Sequence, residues 1–93
     1  MAGPRYTADP PGAMPTVELD GLTALFHVRS GMTHILAAPA PQILALLAEG
    51  PTTRETILAR LTDRFAVESE GDVLELLEAR LSELENAGLV WRS

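Results

Sequence analysis

Between Leu22 and Ala37 the chain carries two strand-like apolar runs, Leu22 to Arg29 and Met32 to Ala37, separated only by Ser30-Gly31. So short a glycine-containing break predicts a β-hairpin, because a two-residue loop returns the chain antiparallel to itself and fixes the register of the pair. With Ser30 and Gly31 as the whole loop, Val28 faces Thr33, His27 faces His34, Phe26 faces Ile35 and Leu25 faces Leu36. Alternation then puts Phe26, Val28 and Ile35 on one face and Leu25, His27, His34 and Leu36 on the other. Upstream, Val17 and Leu19 alternate with Thr16, Glu18 and Asp20, which predicts a short strand. Asp20-Gly21 follows as a dipeptide suited to a turn that needs positive φ. Three antiparallel strands are expected.

Beyond Ala37 the period changes. Pro39 and Pro41 end the last strand and open a helix, since proline is tolerated in a first turn whose N–H groups have no partner. Ile43, Leu44, Leu46 and Leu47 form its stripe, and Gly50-Pro51 stops it. Thr52-x-x-Glu55 has the spacing of a capping box, followed at helical intervals by Ile57, Leu58, Leu61 and Phe65. Ser69-x-x-Asp72 resembles a further cap; Val73, Leu76, Leu77, Leu81 and Leu84 then trace one face of the longest helix, with acids opposite. Gly88 closes that helix, and Leu89-Val90-Trp91 returns an apolar tail to the core. Helices of about 10, 13 and 16 residues result. The expected class is α+β, a three-stranded antiparallel sheet followed by three helices, an order that is winged-helix-like.

A chain of 93 residues encloses a single core. Residues 1 to 15 hold Pro4, Pro10, Pro11, Pro15, Gly3 and Gly12, a density that predicts a flexible arm, with the domain running from 16 to 93. No apolar stretch reaches the roughly 18 residues of a membrane span, and no basic-then-apolar start marks a secretory signal, so a cytoplasmic location without a membrane partner is expected. Cysteine is absent, which excludes disulfides, thiolate metal sites and a cysteine nucleophile.

The net charge of −6 is unevenly spread. Glu68, Glu70, Asp72, Glu75, Glu78, Glu83 and Glu85 are relieved in that stretch only by Arg80, and lysine is missing from the chain. Phosphates would be repelled by such a helix, which argues against a nucleic-acid partner.

Candidates for chemistry are few. His27 and His34 are the only histidines. The expected register sets them side by side, with Glu18 as the one candidate third ligand, and a metal needs three or four, so no metal is expected. Ser30 lies close by, yet a serine nucleophile requires a base, an orienting acid and oxyanion donors in a concave site, which a hairpin tip does not offer. There is no phosphate loop and no H-E-x-x-H, and neither an enzyme nor a cofactor is expected. The strand Met32 to Ala37 is more informative. At a sheet edge its unpaired N–H and C=O groups form a template for another strand, whether a peptide, the arm or a second copy of the chain in a homodimer.

The hairpin "LFHVRSGMTHILAAPAPQILALLAEG", then "TTRETILARLTDRF" and "DVLELLEARLSELENAGLV", resemble the PqqD-like peptide chaperones, also called RiPP precursor recognition elements. Phe26-His27 and Ser30-Gly31-x-Thr33-His34-x-Leu36 look like the branch found beside an HPr-kinase-related protein. The resemblance implies a truncated winged-helix-like fold that binds the leader of a ribosomally made precursor peptide. It implies a leader added as a strand beside the third β-strand, at Thr33, His34, Ile35, Leu36 and Ala37, and resting on Val73, Leu76, Leu77, Arg80 and Leu84 of the third helix. A modifying enzyme, in an HPr-kinase-related system, would then receive the peptide. Two other readings share the element order: a winged-helix DNA-binding regulator, which the acidic third helix disfavours, and an edge-strand self-association module.

Overall fold

The computed structural model describes residues 3–65 and 73–92, in the order β1 (Arg5–Ala8), a 3-10 turn (Pro11–Ala13), β2 (Thr16–Leu19), β3 (Leu22–His27), β4 (Met32–Ala37), α1 (Ala40–Leu47), β5 (Thr52–Thr53), α2 (Arg54–Phe65), α3 (Val73–Asn86) and β6 (Val90–Arg92). The class is α+β, and the three expected strands precede the three helices as the sequence predicts, while β1, β5 and β6 are additional to them. Two antiparallel sheets form, a meander β2-β3-β4 and a second sheet β5-β1-β6.

The meander follows from local signals. Asp20 (φ 44°) and Gly21 (φ 83°) turn the first hairpin through the left-handed region, as the dipeptide requires. The second hairpin departs from expectation. Its pairs are Phe26 with Thr33, Leu25 with His34 and His27 with Met32, so the loop has the four residues Val28 to Gly31 and the two histidines do not face each other. The cause is in the loop itself: Gly31 at φ 72° donates its N–H to the His27 carbonyl at 2.8 Å. Ser30 Oγ also accepts from the Met32 N–H at 3.3 Å. A shift of two residues is one full side-chain period, so the faces survive. Thr23, Leu25 and His27 turn inward and are buried, with His34 and Leu36 half-buried beside them. Val17, Leu19, Leu22, Phe26 and Ile35 point outward and are exposed.

Residues 1 to 15 are expected to form a flexible arm, and residues 3–15, the part of it that is described, instead hold a strand and a 3-10 turn. β1 is the central strand of the second sheet, pairing Tyr6 with Thr52 on one side and with Arg92 on the other. Tyr6, Asp9 and Met14 are buried. Prolines 4, 10 and 11 flank β1 rather than occupy it, which leaves its ladder donors intact.

Around these sheets the helices bury Ile43, Leu44, Leu46 and Leu47 of α1, Ile57 and Leu61 of α2, and Leu77, Leu81 and Leu84 of α3, joined by Leu25, Leu89 and Val90. Pro41 lies in the first turn of α1 as expected. The cap of α2 is one residue later than the expected box: Thr53 Oγ1 accepts from the Thr56 N–H at 3.3 Å, while Thr52 pairs with Tyr6 and the Glu55 carboxylate turns to Arg54. The Ser69-x-x-Asp72 signal lies outside the described residues. Gly88 (φ 78°) closes α3, and the Leu89 N–H reaches back to the Leu84 carbonyl at 3.0 Å. Leu89 and Val90 enter the core as expected, but Trp91 alternates outward on β6 and is exposed.

Candidate peptide-binding site

β4 lies at the edge of its sheet and pairs only with β3 among the described residues. Which of its groups are free follows from alternation along the strands. The Phe26 N–H bonds the Pro15 carbonyl at 2.9 Å, so Phe26, Ala24 and Leu22 turn their main-chain groups toward β2. Thr23, Leu25 and His27 therefore serve β4, where Leu36, His34 and Met32 receive them. The N–H and C=O groups of Thr33, Ile35 and Ala37 are left facing outward, an acceptor edge of three residues.

Beside that edge lies a groove of about 260 Å³ lined by Ile35, Leu36, Ala37 and Ala40 and, from α3, by Arg80, Glu83, Leu84 and Ala87. The structure thus brings Ile35, Leu36, Ala37, Arg80 and Leu84, all anticipated from the sequence, into one depression. Thr33 is exposed just outside it, and His34 turns inward with its Nε2 buried and without a hydrogen-bond partner among the described residues. The remaining residues of α3 divide. Leu77 is core at 1% exposure and lines no groove, Val73 is half-buried, and Leu76, 39% exposed, sits one helical turn before Arg80. Glu83 and Ala87 were missed because the sequence stripe was drawn through the core leucines, whereas the groove follows the flank of the helix next to that stripe.

Electrostatically the groove is mixed. Arg80 donates to Glu83 at 3.0 Å within it. Two other acids of α3 are also matched, Glu78 by Arg54 and Glu85 by Arg92, each at 3.0 Å. Glu68, Glu70 and Asp72 lie outside the described residues.

The histidine of β3 belongs to a different constellation. His27 Nε2 lies 2.7 Å from Asp9 Oδ2, and Nδ1 lies 2.8 Å from Ser30 Oγ. Arg29 donates to the other oxygen of Asp9 at 2.8 Å. The hydrogen bond from His27, with the Arg29 guanidinium, holds the buried Asp9 carboxyl below its ordinary value against the opposing effect of burial. This supplies the orienting acid that Ser30 lacks in the sequence, from a segment no motif pointed to. It does not make a nucleophile site. The two N–H groups that follow Ser30 are occupied, Gly31 with the His27 carbonyl and Met32 with Ser30 Oγ itself, so neither is available as an oxyanion donor. The network instead fastens the end of β1 to the second hairpin. With both ring nitrogens of His27 engaged and His34 opposite Leu25, the histidine pair has no shared open position, and among the described residues no three His, Asp or Glu side chains converge to hold a metal.

No described helix is long and apolar enough to cross a membrane. Comparison with curated proteins gives no match, and none of the solved structures matches either. A family model does match: Coenzyme PQQ synthesis protein D (PqqD), over residues 23–90, which takes in β3, β4, all three helices and the groove between β4 and α3. The chain therefore belongs to the PqqD family, the family of RiPP precursor recognition elements.

Proposed function

We propose that this chain captures the leader of a ribosomally made precursor peptide as a fourth strand on the free edge of β4, against α3, and presents it to the enzyme that modifies it. Family membership carries the general role, a non-catalytic partner that binds a precursor peptide on behalf of a modifying enzyme. The observation behind the finer mechanism is the outward row of Thr33, Ile35 and Ala37 main-chain groups lying beside the groove of Leu36, Arg80, Leu84 and Ala87. Main-chain bonds along that row supply affinity, and alternate leader side chains entering the groove supply selectivity. The exposed acids Glu75, Glu78 and Glu83 make α3 a poor ligand for phosphates, which disfavours DNA. That the enzyme belongs to an HPr-kinase-related system is part of this reading, and it rests on the likeness of the Phe26 to Leu36 segment alone.

A leader carrying Arg or Lys is expected to associate faster than a neutral one, with a rate that falls as salt rises, because the chain's net charge is −6. The mechanism itself is tested by Ile35→Pro. The Ile35 N–H faces outward, so proline there removes a guest-facing donor and leaves the bonds to β3 in place. Leader affinity is expected to fall about tenfold, one lost main-chain bond plus an unpaired guest carbonyl. Unchanged affinity in a folded Ile35→Pro protein, or leader-induced amide shifts away from Thr33 to Ala37 and α3, would sink the site.

A further inference from the structure

The meander has two edges, and the second is also open. β2 pairs only with β3 among the described residues. By the same alternation Val17 and Leu19 bond to β3, which leaves the N–H and C=O groups of Thr16 and Glu18 facing outward. Behind this edge the inner face of the sheet does not close on α1. A cavity of about 470 Å³ lies between them, larger than the groove beside β4 and of a size that takes a ligand. Its floor is mostly apolar, formed by Met14, Leu25, Leu36 and Leu44, with the buried Thr23 and the buried Asp9, whose carboxylate is held by His27 and Arg29, also in the lining. Its mouth is marked by lining residues that are exposed, Thr16 and Glu18 on β2, Pro11 and Pro15 before it, Ala45 on α1 and Ala48 at the end of that helix. One carboxylate stands there: Glu18 Oε1 accepts from Thr23 Oγ1 at 3.0 Å, and Oε2 has no hydrogen-bond partner among the described residues.

From these features we infer a second strand-accepting site, on β2, whose occupant is an extended segment of another protein with a set two-residue pattern. Side chains of an added strand alternate between the faces of the sheet. An inward-facing aliphatic residue of the guest fills the cavity, the next inward residue is Arg or Lys facing Glu18, and the outward residues are apolar, beside exposed Val17 and Leu19. Charge selects this occupant over a second copy of the chain, since two molecules of net charge −6 repel. The two sites lie on opposite edges of the sheet and share a single lining residue, Leu36. Together they make β3 the centre of a sheet that grows on both sides and holds two chains at once.

The test uses the full-length protein and a capped Val-Leu-Val-Arg-Val peptide, followed by amide shifts. Saturable shifts at Thr16 to Leu19 and at the cavity residues Leu25 and Leu44, lost in Ala45→Trp, are expected. Ala45 is exposed at the mouth, so the indole blocks the cavity without disturbing the core. Glu18→Gln should narrow the preference for this peptide over its Gln-for-Arg counterpart by about threefold, the scale of an exposed ion pair. Shifts confined to β4 and α3, no shifts at millimolar peptide, or a mass that doubles on concentration through the β2 edge would overturn the inference. Leader binding to β4, measured in Ala45→Trp, should be unchanged, which separates failure here from failure of the β4 site.

Discussion

The two sheets of this small domain are built in opposite ways. β2-β3-β4 is a meander whose neighbours are joined by turns of two and four residues, whereas β5-β1-β6 collects strands from the beginning, middle and end of the chain, each four residues long or shorter. In the meander every pairing is local, so turn chemistry specifies it and loop closure costs little. In the second sheet each pairing closes a long loop for a few hydrogen bonds, so it forms only because Tyr6, Leu89 and Val90 are buried with it. The division extends to role. Among the described residues the local sheet leaves both edges unpaired, which is where the two proposed guests would add, and the non-local sheet ties β1 and β6 to the core beneath it. Only the Asp9 network joins the two through side-chain hydrogen bonds among the described residues, reaching from the residue after β1 to His27 and Arg29.

The hardest test of this contrast is removal of residues 1–9. A flexible arm would leave stability unchanged. Loss of a central strand, buried Tyr6 and Asp9 is expected to cost about 5 kcal/mol, a large share of what a domain of this size possesses, and a denaturant melt measures it. Leu25→Ala, which empties the centre of the local sheet at a residue 1% exposed, is expected to cost about 3 kcal/mol. If that exceeds the truncation, the non-local sheet is the lesser partner.

Asp9→Ala breaks the tie between the sheets and leaves a buried His27 nitrogen unsatisfied, at about 2 kcal/mol. It also carries a pH signature. The folded Asp9 carboxyl titrates below its unfolded value, so its contribution is complete above the unfolded pKa of about 3.9 and is lost as pH falls through the lower folded value. Between neutral pH and about pH 3 the parent protein should therefore lose more stability than Asp9→Ala in parallel melts; equal losses would show that Asp9 contributes nothing through its charge. The smallest effect belongs to Gly21→Ala. Open space surrounds the position, so only the left-handed backbone (φ 83°) resists a side chain, at about 1 kcal/mol, and the shifts of β1, β5 and β6 should not move.

What was readable in the sequence follows the same line. The strand-like runs Leu22 to Arg29, which the structure ends at His27, and Met32 to Ala37, the Asp20-Gly21 turn, the proline-opened α1 and the Gly88 cap are each specified within a few residues, and each is found. Errors arose where local signals compete. Ser30-Gly31 has two-residue turn chemistry, but the Ser30 hydroxyl and the left-handed Gly31 close a four-residue loop. Thr52 and Thr53 both offer a hydroxyl, both pair with β1, and it is Thr53, next to the first residue of α2, whose hydroxyl receives the Thr56 N–H.

Five residues of the groove, Ile35, Leu36, Ala37, Arg80 and Leu84, were named from the resemblance, while Glu83 and Ala87 were not, because period alone does not say which flank of a helix meets a sheet edge. By itself the sequence determined the hairpin, the three helices and their order, since all of these rest on spacing within a segment, and it carried the family through the likeness of its segments to PqqD. Tertiary structure alone decided that β1 is a strand, that Asp9 reaches His27, that Leu77 is core while its neighbours form a groove, and that a cavity stands open behind β2. These depend on which distant surfaces exclude water from one another, a property of the packed chain that no window of residues contains.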